Sequence, residues 1–108
     1  MIDIDVELIS ATRTHRSDDV WPAEPFESQV LQKILPWLNE EWIEKYAVNP
    51  GDTVNISSNY YPLSKKDLRK LAEYFRQIED SHWQFAVFDL LYDMTARNRK
   101  IYIVVKKR

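Results

Sequence analysis

Two histidines, a pair of aspartates inside an apolar run, and acids clustered around a tryptophan are the side chains of this chain whose types invite chemistry. His15 and His82 are the only groups that titrate near neutral pH by nature. No nucleophile motif accompanies either, so both read as surface or boundary residues. His15 with Asp18 and Asp19 has the right ligand types for a metal, but the spacing matches no strong metal signature. Asp89 and Asp93 would share one face of a strand, where two carboxylates can share a proton or hold a divalent cation. The plainer reading is preferred: that face meets solvent, or Asp93 pairs with Arg97 or Arg99 across the next turn, because buried acids are rare unless paired. The expectation is therefore a non-enzyme with no catalytic residue, no metal and no cofactor.

Composition narrows the chemistry further. The chain has 108 residues, one glycine and no cysteine. A single Gly51 excludes the glycine-rich loops that cradle phosphates and the strained nucleophile elbow. Without cysteine there is no disulfide, thiolate zinc site, iron–sulfur cluster or cysteine nucleophile. The opening MIDIDVELIS alternates acid with apolar residue and resembles no secretory leader, so a cytoplasmic protein is expected. No motif in the chain identifies a family.

The elements that must position these residues follow from periodicity. Ile2, Ile4, Val6 and Leu8 alternate with acids and predict a strand whose acidic face guards an edge. Residues 10–25 have no period and read as a long polar loop. Phe26 to Tyr46 has a helical apolar stripe that Pro36 must kink or divide into two helices. Asn49-Pro50-Gly51-Asp52 predicts a type II turn, and 53–57 a short strand. Ser64 with Asp67 forms a capping signature ahead of a helix that is apolar on one side and basic on the other, with Leu63 as hydrophobic staple. Residues 82–94 are apolar on both faces and are read as a central covered strand, with a helix as the alternative. Residues 95–100 form a basic turn in which Asn98 can take the left-handed conformation. Residues 101–105 form a closing strand, and 106–108 a basic tail. The sum is a single α+β domain over 1–108 in β-α-β-α-β-β order, with a mixed or antiparallel sheet and two helices on one face.

Charge carries more information than reactivity does. Residues 1–63 hold 4 basic and 11 acidic side chains, and residues 64–108 hold 11 basic and 6 acidic, so a net charge of −2 hides halves of −7 and +5. These halves can satisfy each other within one chain or between copies, which leaves a homo-oligomer open. The reading preferred from sequence is a protein-binding module of the immunity-protein, inhibitor or phage and bacterial accessory type. Its contact segment would be Asp18, Asp19, Trp21 and Glu24, an aromatic anchor ringed by acids that steer a basic partner. The alternative is nucleic-acid binding through Lys66, Arg69, Lys70, Arg97, Arg99 and Lys100, with Tyr60 and Tyr61 offering stacking nearby. Against that alternative, i,i+4 pairing of Arg69 with Glu73 and i,i+3 pairing of Asp67 with Lys70 would make the basic helix face an ordinary solvated surface.

Overall fold

The computed structural model describes residues 3–11, 18–20 and 24–108, with side chains described for 4–11, 31–55 and 57–108. Strand β1 (Asp3–Ala11) lies at the centre of an antiparallel sheet. On one side it pairs with β2 (Asp18–Val20) and β3 (Glu24–Glu27), which follow one another along the same edge. Four helices and a single-turn helix come next: α1 (Ser28–Ile34), α2 (Glu40–Tyr46), the short α3 (Ile56–Asn59), α4 (Lys65–Gln77) and α5 (Ser81–Ala96). The two-residue β4 (Tyr61–Pro62) and the long β5 (Lys100–Lys107) complete the sheet, β5 pairing with β1 from Ile4↔Lys107 to Ala11↔Lys100.

The alternation read in β1 and β5 sorts their side chains onto two faces. Ile4, Val6 and Leu8 with Ile101, Ile103 and Val105 form the floor of the main core. Leu35, Leu38, Ile43, Leu68, Phe75 and Leu90 close over it from the helical layer. The opposite sheet face is covered near Ile9, Ala11 and Val104 by Val48, with Val54 and Tyr60 packed against them. The α+β class and the antiparallel sheet hold as expected; the element order is richer than the sequence pattern suggested.

Pro36 divides the first helical stretch instead of kinking it. The residue before a proline is disfavoured in helical conformation, α1 ends at Ile34, and a new helix starts where the Asn39 side chain accepts from the Trp42 amide at 2.9 Å. The turn at Asn49–Asp52 forms as read: Gly51 has φ +84°, and the Asp52 amide donates to the Asn49 carbonyl at 3.1 Å. The capping box of α4 is also present, with the Asp67 amide donating to Ser64 Oγ at 3.1 Å and the Ser64 amide donating back to Asp67 at 3.3 Å.

Five local expectations are corrected. Residues 53–57 do not form a strand, because the Asn55 side chain accepts from the amide and hydroxyl of Ser57 and the Asn55 amide donates to Asn59 Oδ1, local bonds that turn the backbone into α3. Within 10–25, the described backbone belongs to the end of β1 and to strands β2 and β3 instead of a continuous loop. The basic tail is not free: β5 runs to Lys107, Lys106 bonds Glu7 at 2.7 Å, and Arg108 bonds Asp5 at 3.2 Å. These pairs also show that the acidic face of β1 guards no edge, since β1 is flanked on both sides.

The fifth correction matters most. Residues 81–96 are helix α5, opened by the Asp80 side chain accepting from the Trp83 amide at 3.1 Å. Its buried residues, Trp83, Ala86, Val87, Leu90 and Asp93, recur at helical spacing. On the other side, whose apolar residues suggested a strand covered twice, Phe85, Phe88 and Tyr92 are each half or more exposed. Among the described residues no helix is long and apolar enough to cross a membrane.

Candidate interaction surfaces

Among the described residues, three of the four exposed large hydrophobic side chains lie on the outer side of α5. Phe85 is 74% exposed, Phe88 50% and Tyr92 56%. At 100° per residue these three positions fall within about 60° of one another, opposite the buried Leu90. Their spacing of three and four residues is that of a helix seam, a narrow stripe that normally receives another helix. Of the charged neighbours on this side, Asp89 is exposed beside the row, and Arg97 lies over the Tyr92 ring at 5.2 Å. Taking about 200 Å² for a whole aromatic side chain, the row exposes roughly 350 Å², comparable to the largest apolar patch of a typical monomer.

A second surface is a groove of about 780 Å³ between the end of α1 and the outer face of α4. Ile34, Pro36 and Tyr74 give it an apolar lining, and Lys33, Lys66, Arg69 and Lys70 give it positive charge. Glu73 and Gln77 complete it. The internal pairs expected on α4 do not form. Glu73 bonds Arg76 through two guanidinium nitrogens, and this hydrogen-bonded cation holds the Glu73 carboxyl below its usual 4.5 and raises Arg76 in return. Asp67 is engaged by the Ser64 cap and accepts from Trp37 Nε1 at 3.5 Å. Lys33, Lys66, Arg69 and Lys70 therefore have no carboxylate partner among the described residues.

The third cluster is buried. Ser10, fully buried in β1, donates to Asp93 Oδ2 at 2.8 Å and accepts from Arg99 Nε at 2.7 Å. Arg97 Nη1 reaches Asp93 Oδ1 at 3.0 Å, and the Asp93 carbonyl accepts the amides of Arg97 and Arg99. Asn98 sits between those two arginines with φ +53°, as the sequence suggested. The arrangement ties the end of α5 to the centre of the sheet. A hydroxyl fully shielded from solvent has no approach for a substrate, so Ser10 and Asp93 are structural despite their nucleophile-and-acid chemistry.

The sequence-derived sites are distributed unevenly over this geometry. Asp18 and Asp19 lie in β2 opposite Ala11 and Ser10, and Glu24 lies in β3 opposite Val6; their side chains, together with Trp21 and His15, lie outside the described residues. The six cations proposed for nucleic acid do not share one role. Lys66, Arg69 and Lys70 stay together in the groove, Arg97 and Arg99 are drawn into the Asp93 and Ser10 bonds, and Lys100 is exposed at the start of β5. Tyr61 stacks on Trp37 at 4.7 Å and Tyr60 packs on Tyr102 at 5.6 Å, so neither is a free platform beside the groove. Asp89 is exposed while Asp93 is buried, and Asp93 pairs with Arg97 as the plainer reading had it. His82 is exposed in the first turn of α5.

Sequence reasoning missed the α5 row and the contribution of Lys33. The row was accessible in principle, since Phe85, Phe88 and Tyr92 fall on one arc of a helical wheel. Lys33 joins the groove through the packing of α1 beside α4, which no local pattern records. No family model matches this chain, and neither a curated protein nor a solved structure matches it.

Proposed function

We propose that this chain is a non-enzymatic protein-binding module that receives an apolar helix of a partner protein along the outer face of α5. The observation that carries this reading is the seam of Phe85, Phe88 and Tyr92 at 50–74% exposure on a helix whose opposite side is already buried. A helix that is apolar all round is normally enclosed, and this one is enclosed on one side only. Burying roughly 350 Å² of apolar surface is worth on the order of 9 kcal/mol before the cost of association is subtracted. The row is thus an anchor at the centre of a wider contact, the arrangement in which a few aromatics dominate affinity. Asp18, Asp19, Trp21 and Glu24 remain proposed as a contact segment of the same module, with acids that steer a basic partner.

The reading is tested by placing a photo-crosslinking amino acid at position 85 or 88, with Glu44 on the exposed side of α2 as control position. The expected result in native cells is one protein captured from both α5 positions and not from position 44. Equal capture from all three positions, or none from α5, overturns the reading. A crosslink confined to a second copy of this chain replaces the heterologous partner with self-association and ends the proposal in this form.

A further inference from the structure

We propose that the groove between α1 and α4 is a second binding site, made of residues separate from the α5 row, and that it takes an extended acidic peptide segment anchored by an apolar side chain. The charge argument is direct. Four cations, Lys33, Lys66, Arg69 and Lys70, converge on the groove, and among the described residues the nearby acids are already engaged: Glu73, on the groove wall itself, with Arg76, and Asp67 in the α4 cap. Two of these cations come from one side of α4 at positions 66 and 70, one turn apart, and Lys33 faces them from α1, so the positive charge lines both walls. A carboxylate entering between them meets favourable potential from either side.

Shape selects the rest of the ligand. From Lys66 to Gln77 the helix rises about 16 Å, the length of about five residues of extended chain. The lining by Ile34, Pro36 and Tyr74 offers apolar contact that only a ligand with an apolar side chain uses. A nucleic-acid backbone presents closely spaced phosphates and asks for a broad field of cations. Here the field is interrupted, because Arg97, Arg99, Lys106 and Arg108 are held in internal bonds. An acidic peptide with an apolar anchor matches both the compact charge and the apolar floor.

The test uses the purified full chain and three fluorescent probes: a short peptide of glutamates with interspersed leucines, its glutamine-for-glutamate counterpart, and a single-stranded oligothymidylate of equal charge. Anisotropy at low salt should show the acidic peptide binding about tenfold or more tighter than either other probe, with affinity falling as salt rises. Lys33→Glu and Lys66→Glu should each weaken it about tenfold, whereas Lys65→Glu, on α4 but outside the groove, and Phe85→Ser, on α5, should leave it unchanged. Circular dichroism of each variant keeps loss of fold apart from loss of binding. The inference is overturned if the acidic peptide does not bind, if the glutamine peptide or the oligothymidylate binds as tightly, or if Lys65→Glu weakens binding as much as Lys66→Glu. Because Phe85→Ser is a control here, failure of this site leaves the α5 reading standing, and the reverse holds equally.

Discussion

Replacing Ser10 with alanine removes one oxygen and tests whether the buried cluster holds the α5 end to the sheet. Ser10 Oγ is a node: it donates to Asp93 at 2.8 Å and accepts from Arg99 at 2.7 Å. A hydrogen bond to a charged group contributes about 1.5–3 kcal/mol, and a buried partner left without one costs the desolvation that the bond had offset. Asp93 is only 7% exposed, so its Oδ2 has little water to turn to, although Arg97 keeps the other oxygen. Arg99 is half-buried and keeps its bond to the Ser10 carbonyl, so its loss is smaller. The cavity left by one hydroxyl is negligible, and the loss sums to about 2–3 kcal/mol. For a chain of this size that corresponds to a fall in Tm of roughly 8–15 °C. Urea titration followed by circular dichroism should show the midpoint fall by about 1–2 M with an unchanged slope. A loss below about 0.5 kcal/mol, the range of ordinary surface substitutions, would refute the reasoning and mean that Asp93 is satisfied without Ser10.

Other substitutions probe separate parts of the structure. Asp67→Ala removes both the return bond of the α4 capping box and the Trp37 contact, and should cost about 1 kcal/mol in urea titration; no change would mean the cap is dispensable. Glu79 follows α4 with φ +59°, a conformation glycine adopts freely, so Glu79→Gly should stabilise by about 0.5–1 kcal/mol, and destabilisation would contradict that geometry. Phe85→Ser with Phe88→Ser should change stability by no more than about 0.5 kcal/mol each while reducing binding of a hydrophobic dye, and a large loss would show the rings packed in the native state. Glu73 is held below 4.5 by Arg76, so its pairing supports the fold above that pH and the support is lost as pH falls through the lowered value. Glu73→Gln should therefore narrow its stability gap from the parent chain on acidification, and parallel urea-midpoint profiles would contradict the assignment.

Several features were legible because they depend on neighbours in sequence. The Ser64 and Asp67 cap, the turn at Gly51 and the left-handed Asn98 each involve residues within three positions of one another, and all three occur where the pattern placed them. The division of 26–46 was legible as an alternative, because proline constrains the residue before it regardless of what packs nearby. Residues 82–94 were not, since apolar residues all round a segment carry no period that separates a strand covered on two faces from a helix with one face left open. The strand expected at 53–57 failed for another reason: Val54 and Ile56 alternate, but the side chains of Asn55 and Asn59 offer the backbone nearer hydrogen bonds than a sheet would.

The amino-acid order by itself determined the exclusions of chemistry, the α+β class, the caps and turns, and the division of charge into an acidic first half and a basic second half. Local chemistry suffices for each of these, because glycine, proline, capping side chains and alternation act over a few residues. Which charges remain available was decided only in three dimensions. Antiparallel pairing of β1 with β5 set Asp5 and Glu7 beside Arg108 and Lys106, the end of α5 drew Arg97 to Asp93 and Arg99 to Ser10, and α1 brought Lys33 to the cations of α4. Tertiary packing likewise turned one side of α5 inward and left Phe85, Phe88 and Tyr92 outside. An electrostatic or apolar surface depends on what each group faces, and that is a property of long-range contacts.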